Sequence, residues 1–315
     1  MTNYYLGIDT SCYTTSIAIL DQEGNLSQDY RKVLTVKPGG RGLAQSEMVF
    51  QHTRNLPGLL EQAVAELPDS YQFAGIGVSA QPRPSADSYM PAFLVGHNYA
   101  RVLGIALKTP VHPISHQENH IYAGLWSSAG PLADDFLALH LSGGTTEIVL
   151  VRNFHTKPQL TILGESCDLH AGQFVDRVGV ALGLAFPAGP HLEKLACSGR
   201  EQASVIPVAV EGLQVSFSGP ESHAQRLITK GEAASAVAAG VEKCIAESIV
   251  RLIGQAVSVT QLQQVLIVGG VTANLFIRSY LQEKLGKKQI QLYIPQPAYS
   301  SDNAVGAAYF ALQQQ

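Results

Sequence analysis

Twice along this chain the same order of elements can be read. Three strand-length apolar runs come first, joined by tight polar or glycine turns; helical periodicity and a further buried strand follow. In the first pass, Tyr4 to Ile8 and Thr14 to Leu20 flank the turn Asp9-Thr10-Ser11, and Asp21-Gln22-Glu23-Gly24-Asn25 turns into a third strand near Tyr30 to Val36. A glycine-rich loop, Pro38-Gly39-Gly40-Arg41-Gly42, precedes a helical pattern from Ser46 to Leu67, a buried strand at Phe73 to Val78 and a helix over Ala92 to Leu107. In the second pass, Phe136 to Leu141, Thr146 to Val151 and Leu160 to Gly164 surround a Ser-Gly-Gly turn. Helices near Val175 to Leu184 and Ala233 to Ala256, a strand at Val265 to Val268 and a last helix starting near Asp302 complete it.

The β-β-β-α-β-α order is that of a ribonuclease-H-like lobe, and its recurrence implies an internal duplication in an α/β chain. The expected division is residues 1–110 and 111–315, tightly joined, since no long or low-complexity stretch marks a linker. At 315 residues and 46% hydrophobic content the chain can bury two cores. Charged residues are only 15% and the net charge is -4, which argues against a surface built throughout for nucleic acid but leaves room for a local basic patch. No apolar run reaches the length of a membrane span. The N-terminus enters a strand without a basic leader, so no signal peptide is expected. Cys12, Cys167, Cys197 and Cys244 form no CxxC pair and read as free thiols of a cytoplasmic protein.

Five short segments carry the chemistry. His116 and His120 lie four apart, so a helix puts both imidazoles on one face, within reach of one metal ion; two surface histidines are the plain alternative. A zinc protease needs Glu directly after the first His, and Gln117 stands there instead. Asp302, at a helix start, is the candidate third ligand. Leu141-Ser142-Gly143-Gly144-Thr145-Thr146 follows an apolar strand; its glycines let backbone N–H groups approach phosphate and Ser142 adds a donor, though an ordinary hairpin would look the same. Gly7-Ile8-Asp9-Thr10-Ser11 is the matching first-lobe turn. Asp9 there can hold a metal or water near phosphates, or close an Asx turn. Asp9 and Ser142 are the catalytic candidates. Val268-Gly269-Gly270-Val271-Thr272-Ala273-Asn274 is a strand–glycine–helix junction that admits flat ligand groups, with Asn274 either bonding a base or sugar or capping the helix. Asp176, in an otherwise apolar helix, is a ribose-binding candidate or an exposed acid, and Pro187-Ala188-Gly189-Pro190 lines the same pocket or stops the helix. Together these segments point to a nucleotide and a metal sharing one cleft.

In order and spacing, from about Gly7 to the C-terminus, these segments resemble the tRNA threonylcarbamoyladenosine synthase transferase family. This is the TsaD-like family, formerly called the O-sialoglycoprotein endopeptidase or glycoprotease family. The resemblance implies the duplicated fold of actin, Hsp70 and sugar kinases (ASKHA), two lobes around a nucleotide cleft. It implies one divalent metal, Fe2+ or Zn2+, on His116, His120 and Asp302. It implies an adenine nucleotide, threonylcarbamoyl-AMP or ATP, on His140, Leu141, Ser142, Gly143, Gly144, Asp176, Gly189 and Asn274, with Glu193 where the family often has Asp or Ser. The implied reaction moves a threonylcarbamoyl group from threonylcarbamoyl-AMP to adenosine N6 of tRNA. The implied partners are tRNA, accessory proteins of the transfer complex and a homologous ASKHA-fold subunit as dimer mate, with no membrane.

The chain departs from that pattern in places. Thr145 replaces the histidine of Ser-Gly-Gly-His-Thr, Leu169 takes one of two acidic positions, Arg83-Pro84-Ser85 stands for Gly-Pro-Gly, and Glu221 falls where a lysine would sit. Less positive charge weakens contacts to tRNA phosphates. The departures mark a divergent paralogue and keep two alternatives open: a related carbamoyl- or nucleotide-dependent transferase with a non-tRNA acceptor, and a non-catalytic nucleotide-binding regulator.

Overall fold

A computed structural model describes residues 2–36, 43–85, 87–156 and 158–315, so the glycine-rich stretch from Pro38 to Gly42 lies outside the described residues. The chain begins with strands β1 (Thr2–Asp9), β2 (Thr14–Asp21) and β3 (Leu26–Val33), then helix α1 (Gln45–Ala65), β4 (Tyr71–Gln81), α2 (Pro91–Leu107), β5 (Val111–Ser115) and α3 (His116–Ser128). It continues with β6 (Phe136–Leu141), β7 (Thr146–Arg152), β8 (Gln159–Ser166), α4 (Ala171–Ala181) and α5 (Gly189–Ala196). Next come the short hairpin β9 (Ala209–Glu211) and β10 (Gln214–Ser216), then α6 (Ser218–Thr229) and α7 (Ala234–Thr260). β11 (Gln264–Val268), α8 (Leu275–Gly286), β12 (Gln291–Tyr293) and α9 (Val305–Leu312) end it.

The residues form two compact units, one reaching Ser127 and regaining Asp302–Gln315, the other Ser128–Ser301. The boundary expected at 110/111 is therefore corrected. Residues 111–115 form β5, which pairs parallel with β4 and completes the first sheet. The histidine helix α3 goes with it, and the C-terminal helix returns to the same unit.

The first sheet runs β3-β2-β1-β4-β5, antiparallel across β1, β2 and β3 and parallel from β1 through β4 to β5. In the second unit the order β8-β7-β6-β11-β12 repeats this pattern, and the β10-β9 hairpin extends it past β8. The duplication read from the sequence is thus present as topology. The central strands are covered on both faces, which is why they read as continuous apolar runs. On one face Leu6, Ile8, Ile17, Ile19, Ile76 and Val78 pack on Leu56 and Leu59 of α1 and Val95 of α2. In the second unit Val237, Val241, Ile245, Ile249 and Ile253 of α7 share one hydrophobic core with Leu137 and Leu139 of β6 and Ile267 of β11.

The other face of the first sheet carries α9. Side chains alternate along a strand, so Gly7 and Gly77 point away from the α1–α2 core. A Cβ on Gly7 would stand 2.1 Å from the Ala304 carbonyl oxygen, and one on Gly77 would stand 1.8 Å from that of Ala307. The run Val305-Gly306-Ala307-Ala308 answers those glycines with small residues, so helix and sheet backbones meet directly. We expect Gly77→Ala to force α9 off the sheet and destabilise the protein by about 1–3 kcal/mol or more, read as a lowered melting temperature. Gly143→Ala, with nothing within 4 Å of its Cβ, is the silent control.

Candidate metal centre and nucleotide turns

Helix α3 starts at His116, and one turn brings His120 beside it, with the two Nε2 atoms 3.0 Å apart. Asp302 is delivered by the chain just ahead of α9. Its Oδ1 is 3.5 Å from the Nε2 of each histidine. Asn119, buried between the two histidines, donates Nδ2 to the Asn303 carbonyl at 2.7 Å. Asn303 in turn accepts the Val305 N–H at 2.9 Å on Oδ1, so the segment holding Asp302 is pinned at both the α3 and α9 sides. Asp302 precedes α9 rather than opening it.

Asp9, fully buried at the end of β1, faces the opposite edge of His116, Oδ1 to Nδ1 at 3.7 Å. Its carboxylate also accepts the Ser11 hydroxyl at 2.7 Å and the Ser11 N–H at 3.3 Å. Of the two readings of Asp9, the Asx turn is present, and the same carboxylate also faces the His116 ring. An imidazole presenting Nε2 to a site while a carboxylate faces Nδ1 is the usual arrangement of a metal-ligating histidine.

The protonation pattern follows. Burial alone would lower the His116 pKa, but Asp9 and Asp302 outweigh it and raise it to about 10. His120 is lowered, by burial and then by the neighbouring His116 charge. Burial would raise Asp302, yet the two histidines hold it far below the carboxylate range. Without a cation the cluster thus keeps a proton on His116.

The donor set fits a divalent metal. Bonds of about 2.0–2.2 Å to nitrogen and oxygen give tetrahedral donor–donor edges of about 3.3–3.6 Å. The edges present are 3.0, 3.5 and 3.5 Å, already close to one face of a coordination polyhedron. Cys12 joins them: its Sγ, a His116 nitrogen and an Asp302 oxygen all lie within 4.8 Å of one another. The sequence treats Cys12 only as one of four free thiols, which all four are. Its place directly after Asp9-Thr10-Ser11, in a turn expected to carry chemistry, was the available signal.

The nucleotide candidates lie in the second unit. The Ser142 turn closes with Ser142 N–H on the Thr145 backbone carbonyl at 2.7 Å. It rests on the start of α4 through Gly172 N–H to the Ser142 carbonyl at 3.0 Å and Ala171 N–H to Thr146 Oγ1 at 2.8 Å. Gly143 and Gly144 are exposed, with no atom within 4 Å of a built Cβ; the Gly144 N–H bonds the Ser142 hydroxyl at 3.3 Å, and Gly172 of α4 lies against the Gly143 backbone. Gly269, at φ 101°, sits against this turn; a Cβ there would meet the Leu141 carbonyl at 2.3 Å. His140, buried on β6, lies beneath Gly269. The two glycine turns expected to hold phosphate and nucleoside are therefore adjacent.

The remaining candidates are tied into the protein. Asp176 is half-buried and accepts the Ala188 N–H at 2.7 Å, ordering the turn that brings Gly189 to the head of α5. Glu193 accepts the Leu275 N–H at 2.7 Å, at the start of α8. Asn274 uses both ends of its amide: Oδ1 accepts the Ile277 N–H at 2.9 Å as helix cap, and Nδ2 donates to buried Glu242 at 2.7 Å. The capping role of Asn274 is thus present. Glu242, in a long apolar helix, also faces Arg200 at 3.4 Å, and Arg200 lies over the Phe276 ring at 5.1 Å. Leu169 goes into the core, which explains why no acid stands there. Asp168 beside it accepts the Phe217 N–H at 2.9 Å and the Ser218 N–H at 3.3 Å, capping α6. Glu221 falls in the first turn of α6, where a carboxylate complements the helix dipole.

The paired sheets define an ASKHA-type fold. Component A of the Acidaminococcus fermentans (R)-2-hydroxyglutaryl-CoA dehydratase is similar at 19% identity and TM-score 0.57, over 99% of this chain and 98% of that one. A Streptomyces griseus ROK family glucokinase, solved with glucose and AMPPNP, is similar at 12% identity and TM-score 0.55, over 98% and 99%. HypF of T. kodakarensis is similar at 11% identity and TM-score 0.60, over 99% of this chain and 48% of that one. At these identities the likeness is one of fold. The chain belongs to the TsaD family, tRNA N6-adenosine threonylcarbamoyltransferase, which it matches over residues 33–309. It is thereby a member of a tRNA-modifying transferase family. Among the described residues no helix is long and apolar enough to cross a membrane.

Two outcomes follow. Metal binding must displace the His116 proton, so affinity for Zn2+ rises by at least about tenfold per pH unit between about pH 6 and pH 8, measured by competition with a chelating dye. Asn274→Ala removes a cap, a loss of about 0.5–2 kcal/mol, and leaves Glu242 short of a partner. Chemical denaturation of Asn274→Ala without any nucleotide present should show that loss.

Proposed function

We propose that the chain transfers a threonylcarbamoyl group from threonylcarbamoyl-AMP to adenosine N6 of tRNA. The observation that carries this, beside family membership, is the triangle of His116, His120 and Asp302 at 3.0–3.5 Å with Asp9 behind it. A divalent cation, Fe2+ or Zn2+, bound there would supply Lewis-acid polarisation of the carbamoyl carbonyl. His116 and His120 would hold it through Nε2, with Asp9 fixing the His116 ring. The exposed Gly143-Gly144 turn, with the Ser142 hydroxyl that now accepts the Gly144 N–H, would hold the phosphate of the AMP portion and stabilise it as it leaves. The N6 nitrogen forms a bond to the carbamoyl carbon, the C–O bond to phosphate breaks with its electron pair going to AMP, and N6 loses a proton. The chain's own nucleophiles are not required; placing two bound substrates accounts for much of the rate.

The partners proposed are tRNA and an accessory or homologous subunit. Val102 and Ile105 of α2, 64% and 77% exposed, are apolar positions consistent with a protein partner. The proposed location is the cytoplasm. Glu221 favours a second reading, a non-tRNA acceptor, because it places negative charge at α6 where phosphate contacts would need the opposite sign. The experiment supplies threonylcarbamoyl-AMP and unmodified tRNA with accessory proteins and quantifies the modified nucleoside by mass spectrometry. Modified tRNA, with Asp302→Asn slower by about a hundredfold or more because several kcal/mol of charge stabilisation are lost, supports the proposal. AMP release without tRNA modification supports the second reading. Neither product supports a regulatory role.

A further inference from the structure

The β1–β2 turn holds a residue that the histidine–aspartate set does not use. Cys12 has φ 38°, in the left-handed region that a non-glycine side chain seldom adopts. Such a conformation costs about 1–3 kcal/mol and tends to persist where surrounding structure imposes it for a purpose. The turn is well held. Asp9 accepts from Ser11 on one side of Cys12, the Leu34 N–H bonds the Tyr13 carbonyl at 2.8 Å on the other, and buried His52 meets Thr15 Oγ1 at 2.8 Å behind it. The conformation places Sγ within 4.8 Å of both a His116 nitrogen and an Asp302 oxygen. A tetrahedral site with one sulfur at about 2.3 Å and nitrogen at about 2.0 Å has an edge of about 3.6 Å between them, and the Cys12 Sγ exceeds that edge by no more than about 1.2 Å toward His116 and Asp302.

We propose that Cys12 is a ligand of this centre, giving a mixed thiolate, imidazole and carboxylate set on Cys12, His116, His120 and Asp302. This deepens the functional reading above and rests on its metal site. The Cys12 S–H bond breaks, its proton goes to solvent, and the sulfur lone pair forms the bond to the cation. A thiolate donor makes the site select soft or borderline cations, Zn2+ or Fe2+, against the hard cations Mg2+ and Ca2+.

Cobalt substitution tests it directly, using the full chain with the exposed Cys167 and Cys197 changed to serine. One equivalent of Co2+ should give visible ligand-field bands together with an intense near-ultraviolet thiolate-to-cobalt charge-transfer band. In Cys12→Ser the ligand-field bands remain, the charge-transfer band is lost, and Zn2+ affinity falls by about tenfold or more. Cys12→Ala, checked for native circular dichroism, repeats the loss. Bound Co2+ without the charge-transfer band, or a band unchanged in Cys12→Ser, overturns the role of Cys12 while leaving the His116–His120–Asp302 site intact. Absence of all cobalt bands in the parent protein overturns the metal site and the Cys12 ligand with it.

Discussion

The candidate metal centre depends on a backbone-to-backbone contact some distance from it in sequence. Helix α9 lies on β1 and β4 without intervening side chains, because Gly7 and Gly77 face the carbonyl oxygens of Ala304 and Ala307. Gly306 makes a similar approach to α3, where a Cβ would stand 1.9 Å from the Asn119 carbonyl oxygen. These contacts return the C-terminal segment to the first unit. They bring Asp302 to two histidines more than 180 positions earlier. The Asn119 amide then fixes the last step by holding the Asn303 carbonyl.

The groups of the buried cluster compensate one another electrostatically. Two carboxylates and two imidazoles out of water would be costly without mutual compensation. In the absence of a cation the compensation is a proton retained on His116 between Asp9 and Asp302. A divalent ion held by His116, His120 and Asp302 would take the place of that proton and supply the compensating charge. The second unit is organised differently. Its turns expose backbone at Gly143 and Gly144, while its acids Asp168, Asp176 and Glu193 bond N–H groups of the chain and hold helices and turns in place.

Much of this was legible in the residues. The two-pass β-β-β-α-β-α order emerged as two sheets with matching strand order, because strand period and turn residues report local geometry that tertiary packing preserved. The His116–His120 spacing read correctly as one helix face. Less legible were elements whose identity depends on distant partners. β5 is a short run containing Pro113 that becomes a strand only by pairing with β4, and so the boundary was placed too early. For Cys12 the sequence offers its place after Asp9-Thr10-Ser11 as a signal, but neither its positive φ nor its approach to a histidine a hundred residues on can be read from its neighbours. Asn274 presented two readings at once, and only the Ile277 and Glu242 contacts show that both ends of its amide are engaged.

The central claim is that residues from β1, α3 and the segment before α9 form one metal seat. X-ray absorption fine structure at the zinc edge, on the full chain loaded with one equivalent of Zn2+, tests it most directly. The account predicts a four-coordinate ion with multiple-scattering features of two imidazoles, a carboxylate oxygen and one sulfur at about 2.3 Å. An ion surrounded by oxygen alone, without imidazole scattering, would contradict it.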